Sequence, residues 1–163
     1  MERPSCSCGL RAHIDVPDIF WDTSALARRY VTAEAGSARV VAACQSNEQS
    51  LLVSRLLPVE MASTLALKVR TGQTSAAERD SAWQEFMLHL RRRYHIVPLS
   101  EAIFERAQDL LFRYTLRAYD AIHLAAALAL RTAGPALEME FWTADRQQAQ
   151  AAEQEGLAVQ LIG

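Results

Sequence analysis

Five brief apolar runs, each separated from the next by helical periodicity, constrain this chain more than any other feature. Ile19-Phe20-Trp21, Leu51-Leu52-Val53, Ile96 to Leu99, Met139 to Thr143 and Ala158 to Ile162 are too short for helices and read as buried strands. Between them, Thr23 or Ser24 caps a helix through Tyr30, and a second helical stretch runs from Ser37 to Ala43. Val59, Ala62, Leu65, Ala66 and Val69 mark a third, stopping near Gly72. Thr74 or Ser75 opens a longer amphipathic helix to Arg93, with Trp83, Phe86, Met87 and Leu90 on one face. Ser100-Glu101 starts another, ending near Tyr114. Tyr119 to Leu130 is apolar nearly all round, as an enclosed helix is, and Gly134-Pro135 ends it. A last helix spans Arg146 to Glu155, with Gly156 after it. Strands that alternate with helices need crossovers, so the expected class is α/β with a mainly parallel sheet and helices on both faces.

Composition narrows the class further. At 163 residues and 50% hydrophobic, the chain suits one compact domain and excludes disordered and fibrous proteins. No apolar run approaches the roughly 20 residues of a membrane span, and the first 18 residues carry no signal-peptide core, so a cytoplasmic location with no membrane partner is expected. Cys6, Cys8 and Cys44 form an odd, sparse set and are expected to be free thiols. Lys68 is the single lysine, the other basic residues being arginine. Arginine's planar fork suits phosphate, but a GC-rich genome produces the same bias.

The chemistry lies in four acids. Asp22 and Asp145 each end a predicted strand, and open parallel sheets bind ligands at the carboxyl ends of their strands. Glu60 and Asp120 fall near the starts of helices leaving that same edge. Each alone has a plainer role: Asp22 and Asp145 as helix caps, Asp120 as a first-turn acid, Glu60 as a solvated side chain. Together they would repel one another unless a cation joined them. All-oxygen ligation selects Mg²⁺ or Mn²⁺, which polarises a phosphate and acidifies a water, the chemistry of phosphodiester hydrolysis.

The segments FWDTSALARRY, LLVSRLLPVEMASTLA, LRAYDAIHLAAALAL and FWTADRQQAQAAEQEGLAV resemble, in order, the four acidic motifs of the PIN-domain ribonucleases, and most closely the VapC-type toxins of toxin–antitoxin pairs. The resemblance covers residues 19 to 163. It implies a PIN-like three-layer α/β/α fold with a five-stranded, mainly parallel sheet, and a Mg²⁺- or Mn²⁺-dependent endoribonuclease. By position, Asp22, Glu60, Asp120 and Asp145 are the catalytic and metal-binding acids, with Asp22 and Asp120 as direct ligands and the other two acting directly or through water. Thr143 and Ser24 or Thr23 match supporting hydroxyl positions that orient a carboxylate or the attacking water; capping or turn bonding would serve equally. The resemblance further implies an RNA substrate, a cognate antitoxin that obstructs the site, and a toxin homodimer.

Residues 1–18 precede the usual start of such toxins and are expected to form a flexible leader. Cys6, Cys8 and His13 within it match no common zinc spacing. His123, one turn after Asp120, reads as a hydrogen-bonded packing residue before a catalytic one. Arg91-Arg92-Arg93 reads as a solvated helix end. Arg28, Arg29, Arg117 and Arg146 lie nearer the acidic motifs and are the candidates for holding the substrate backbone. Tyr30, Trp21 and Trp142 offer stacking surfaces, although the tryptophans sit on strands that belong in a core. Two other readings remain. One is a catalytically inactive PIN-like module that binds RNA or protein. The other is a haloacid-dehalogenase-type phosphatase, which wants an acid where Ser24 stands and a lysine in a context that Lys68 lacks.

Overall fold

Buried on both faces, the first apolar run becomes the central strand of a five-stranded sheet, β1 (Asp18–Trp21). The computed structural model describes residues 17–31, 34–134 and 138–163. β1 is flanked by β2 (Leu51–Ser54) and β4 (Met139–Thr143), with β3 (Tyr94–Val97) and β5 (Ala158–Leu161) at the edges. Every pairing is parallel, and Trp21 stands opposite Val53 on one side and Trp142 on the other.

The alternation of side chains along β1 divides the protein into two cores. Ile19 and Trp21 pack with α2 (Ser37–Gln45), α3 (Leu57–Arg70) and α4 (Ala76–Arg92), through Val40, Met61, Leu65 and Phe86. Phe20 and Phe141, stacked at 5.8 Å, face the other layer: α5 (Glu101–Arg113), α6 (Ala118–Ala133) and α7 (Arg146–Gln154). Alanines at 125, 126, 127, 151 and 152 let α6 and α7 lie close to the sheet. This three-layer α/β/α sandwich is the expected fold. None of the described helices is long and apolar enough to cross a membrane.

Local rules set most boundaries. α4 begins with a reciprocal cap in which Glu78 N–H donates to Ser75 Oγ (3.2 Å) and Ser75 N–H to Glu78 Oε2 (2.7 Å). Ser75→Ala is therefore expected to cost about 1 kcal/mol, read as a fall of ~2–4 °C in the melting temperature, with the distant acidic cluster undisturbed. Beyond α3, Gly72 takes a φ of +71°, a turn for which a side chain would be strained.

Several expected boundaries shift. The third strand lies at Tyr94–Val97, not Ile96 to Leu99. Pro98 has no N–H for the ladder, and the Tyr94 hydroxyl is anchored at 2.6 Å to Tyr30. The helix expected from Thr23 to Tyr30 is α1 (Thr23–Leu26) followed by a 3-10 turn over Ala27–Arg29. Asp18, assigned to the leader, opens β1, its N–H bonded to Glu138 O and its carboxylate accepting from Ser50 N. The remaining leader readings, including Cys6, Cys8 and His13, lie outside the described residues, as does Pro135. Cys44 is a buried free thiol.

The strand order β3-β2-β1-β4-β5 reverses direction between β1 and β4. The chain builds outward from β1 through β2 to β3, then returns to place β4 on the other side of β1. At such a reversal the connections leave on opposite faces, and a crevice opens at the carboxyl ends. Asp22 and Thr143 stand at its two lips.

Candidate active site

Asp22 follows the last residue of β1 and caps α1, so a backbone requirement already fixes its position. Only 2% exposed, its carboxylate is held from several sides. Oδ2 accepts from Ser24 N (2.9 Å) and Ser24 Oγ (2.5 Å), and Oδ1 accepts from Gln148 Nε2 (3.0 Å). Ser24 Oγ also accepts from Ala144 N at 2.9 Å, tying the end of β4 to the start of α1.

Glu60 lies in the first turn of α3, half-buried, and its Oε2 takes two bonds. Thr23 Oγ1 donates at 2.6 Å, and His123 Nε2 meets the same oxygen. His123 is fully buried, and its Nδ1 is 3.0 Å from Ser54 Oγ. Burial works against the imidazolium, yet the Glu60 hydrogen bond and the Asp22, Glu60 and Asp120 charges outweigh it and hold the His123 pKa above its ordinary value. His123 is thus hydrogen-bonded as a packing residue would be, but to a site carboxylate. Its i+3 spacing from Asp120 was the sequence signal for that placement.

Asp120 stands in the first turn of α6, accepting from Arg117 N (3.2 Å), and Asp145 caps α7 by accepting from Gln147 N (2.7 Å) and Gln148 N (3.0 Å). The plain roles weighed for these acids are real, and they coexist with convergence. Burial and then the Asp22 charge lift the Asp120 carboxyl to about 6; the Arg117 N–H opposes this, while Asp145 and Glu60 add to it. Asp22, Asp145 and Glu60 therefore all lie within electrostatic reach of Asp120.

Gln148 is the residue that sequence reasoning missed. Asp145-x-x-Gln148 has the form of a capping box, in which the glutamine would return to the Asp145 N–H. Instead Asp145 N donates to Thr143 Oγ1 (3.0 Å), and the fully buried Gln148 side chain crosses the crevice. Its Nε2 donates to Asp22 Oδ1 (3.0 Å) and to the Asp120 carbonyl (3.1 Å), and its Oε1 accepts from Thr143 Oγ1 (2.5 Å). Two acceptors on one side and a hydroxyl on the other leave a single orientation for the amide. One side chain thus links β1, β4, α6 and α7.

Ligand atoms of Asp22, Glu60 and His123 lie within 4.8 Å of one another, which suits one cation. Of these, the Asp22 and Glu60 oxygens suit a hard divalent ion, while His123 Nε2 is engaged by Glu60. After burial, it is the neighbouring carboxylates that lift Asp120, a repulsion that such an ion would offset.

The expected basic residues divide. Arg117 and Arg146 are exposed at the starts of α6 and α7, flanking the acids. Arg28 turns toward Glu34. Arg29 points away, into a cluster with Tyr94 Oη (3.3 Å) and His89 Nε2 (3.1 Å), so it does not face the crevice. That cluster also engages the Tyr30 hydroxyl, and both tryptophans are core residues. Arg93 bonds Asn47 Oδ1 and Ser46 O, whereas Arg91 and Arg92 are exposed at the helix end.

Known proteins share this architecture. The sequence matches the PIN domain over residues 19–154. Ribonuclease VapC45 of Mycobacterium tuberculosis (strain CDC 1551 / Oshkosh) is 31% identical over 132 residues, spanning 78% of this chain and 85% of the relative. VapBC2 from Rickettsia felis, crystallised bound to a DNA fragment from its promoter, aligns with a TM-score of 0.60 at 9% identity, covering 89% of this chain and 98% of that one. Mycobacterium tuberculosis VapC20, a Sarcin-Ricin loop cleaving toxin, aligns at 0.58 with 20% identity, covering 82% and 95%. At such identities the structural likenesses speak for the fold alone. The sequence matches extend across most of the domain, including the crevice between β1 and β4, and on that ground the chain belongs to the PIN-domain family.

Proposed function

We propose that this chain is the ribonuclease toxin of a toxin–antitoxin pair, acting in the cytoplasm as a homodimer and cutting RNA phosphodiesters with Mg²⁺ or Mn²⁺. What supports the reading is the match to VapC-type ribonucleases, together with the grouping of Asp22 and Glu60 at the sheet reversal and the Asp22, Asp145 and Glu60 charges that act on Asp120 beside them. Asp22 and Asp120 would hold the ion directly, with Glu60 and Asp145 completing the site. The ion would polarise the scissile phosphate and acidify a water. Ser24 and Gln148 fix the plane of Asp22, and Thr23 and His123 fix Glu60, so the oxygens are in place before substrate arrives. Arg117 and Arg146, exposed beside the acids, would bind the substrate backbone.

The other readings are not favoured. A phosphatase of the haloacid-dehalogenase type needs a free aspartate nucleophile with an acid two residues on. Here Ser24 occupies that position and bonds Asp22, while Lys68 is paired with Glu34. An inactive module would have no need to hold buried carboxylates against their mutual repulsion.

The test is a digest of total RNA by the purified protein. Cleavage is expected with Mn²⁺ or Mg²⁺, is expected to stop on adding EDTA, and should return when excess metal is restored. RNA left intact by the metal-loaded protein would overturn the proposal. In the genome, a short adjacent reading frame with a DNA-binding start and a basic end is the expected antitoxin.

A further inference from the structure

The crevice does not end at the acids. A cleft of about 380 Å³ continues from Ser24 and Asp145 along α3 to Gln73. Glu60, Thr64 and Lys68 recur at four-residue intervals, so they share one face of that helix, and Lys68 lies ~12 Å from Glu60 along its axis. The cleft therefore starts beside Asp145 and Ser24, at the rim of the acidic site, and leads to the only lysine in the sequence.

Lys68 is not solvated there. Its ammonium and the Arg28 guanidinium both converge on Glu34, with Arg28 Nε 3.5 Å from Glu34 Oε2. The two cationic side chains are 13% and 14% exposed, while the carboxylate between them is 37% exposed. On this stretch of the groove wall one carboxylate thus answers two cations, while Asp145, the other acid of the lining, stands at the end of the cleft next to the acidic centre.

We infer that this cleft is a phosphate subsite for the RNA strand, in which Arg28 and Lys68 hold a backbone phosphate beyond the scissile one and Glu34 occupies the subsite until RNA displaces it. This rests on the ribonuclease reading. The separation along α3 is too large for Lys68 to touch a phosphate at the acids, so its role is to hold the flanking strand. A polyanion approaching four carboxylates needs such an anchor, and phosphate contacts fix register without reading sequence.

The experiment measures binding of a fluorescent single-stranded RNA oligonucleotide to the full chain in EDTA, by anisotropy across a salt series. Lys68→Gln is expected to weaken binding ~10-fold and to make the log-log salt slope shallower by about 0.7, the value for one lost single-strand phosphate contact. Lys68→Arg should restore both. Glu34→Gln, which removes the competing carboxylate, should tighten binding. Thermal melts of each variant report any loss of fold, and Lys68→Arg keeps the pair with Glu34. Unchanged affinity and slope in Lys68→Gln, or weaker binding in Glu34→Gln with an unaltered melt, would overturn the subsite. If the wild type cleaves RNA while Lys68→Gln binds normally, the subsite fails and the ribonuclease stands. If the wild type binds through Lys68 but cleaves nothing with metal, the subsite stands and the ribonuclease fails. No binding by any form overturns the subsite.

Discussion

Asp22→Asn is expected to lower RNA cleavage by ~10³-fold, because it removes one full charge from the most buried carboxylate facing the proposed metal. The fold should survive. Asparagine is as good an N-cap as aspartate, so α1 keeps its start and Ser24 N keeps an acceptor. The cost arises on the other side. With the amide oxygen kept on Ser24, the N–H₂ faces the Gln148 Nε2 donor, and a buried donor without an acceptor costs ~1 kcal/mol or more. Initial cleavage rates with Mn²⁺, measured beside a thermal melt, test both halves. A variant that still cleaves within tenfold of wild type would remove Asp22 from the proposed metal site.

Asp120→Asn should also stop cleavage, yet without metal it should make the protein more stable. The Asp120 carboxyl is lifted from 3.8 to about 6 by burial first and by the Asp22 charge second. The native state therefore holds a proton that the unfolded chain has released between those values. Stability from that proton is complete below about 4 and is lost as pH rises through about 6. Above that, the folded protein carries a repelled carboxylate. At full strength the displacement corresponds to ~3 kcal/mol, and to about 1–2 kcal/mol after allowing for solvent screening of a half-exposed group. Asparagine carries no such charge and can still accept from Arg117 N. In EDTA at pH 7.5 the variant is expected to melt ~3–6 °C above wild type. The gap should close near pH 4, and added Mn²⁺ should narrow or reverse it by stabilising wild type alone. Equal melting of the two forms at pH 7.5 in EDTA would mean that burial and the neighbouring charges do not lift Asp120 as described.

Both positions were legible in the chain, each through a different local signal. Asp22 and Asp145 were visible because an acid directly after a short apolar run marks the end of a parallel strand. Glu60 and Asp120 were visible because each opens a helix. Resemblance joined them into one site, and the sheet order supplies the physical cause. The third strand was misplaced by two residues because apolarity alone favoured Ile96 to Leu99, while Pro98 and the Tyr94 hydroxyl decided the register. Arg29 was read as a candidate for holding the substrate because it lies near the first acidic motif, but the 3-10 turn over Ala27–Arg29 sends it and Arg28 to different partners. Gln148 was hidden by a pattern that describes a helix cap equally well.

Periodicity, caps and turn residues act over a few positions, so the amino-acid order by itself determined the alternation of strands and helices, the α/β class and the acids at element ends. It did not determine which strands would be neighbours. That choice came from packing two apolar faces of one sheet, with Phe20 and Phe141 on one side and Trp21 and Trp142 on the other. Setting β4 beside β1 brought Thr143 and Asp145 to Asp22 and let Gln148 reach across. Such long-range contacts depend on the relative placement of whole elements, and no local pattern encodes them.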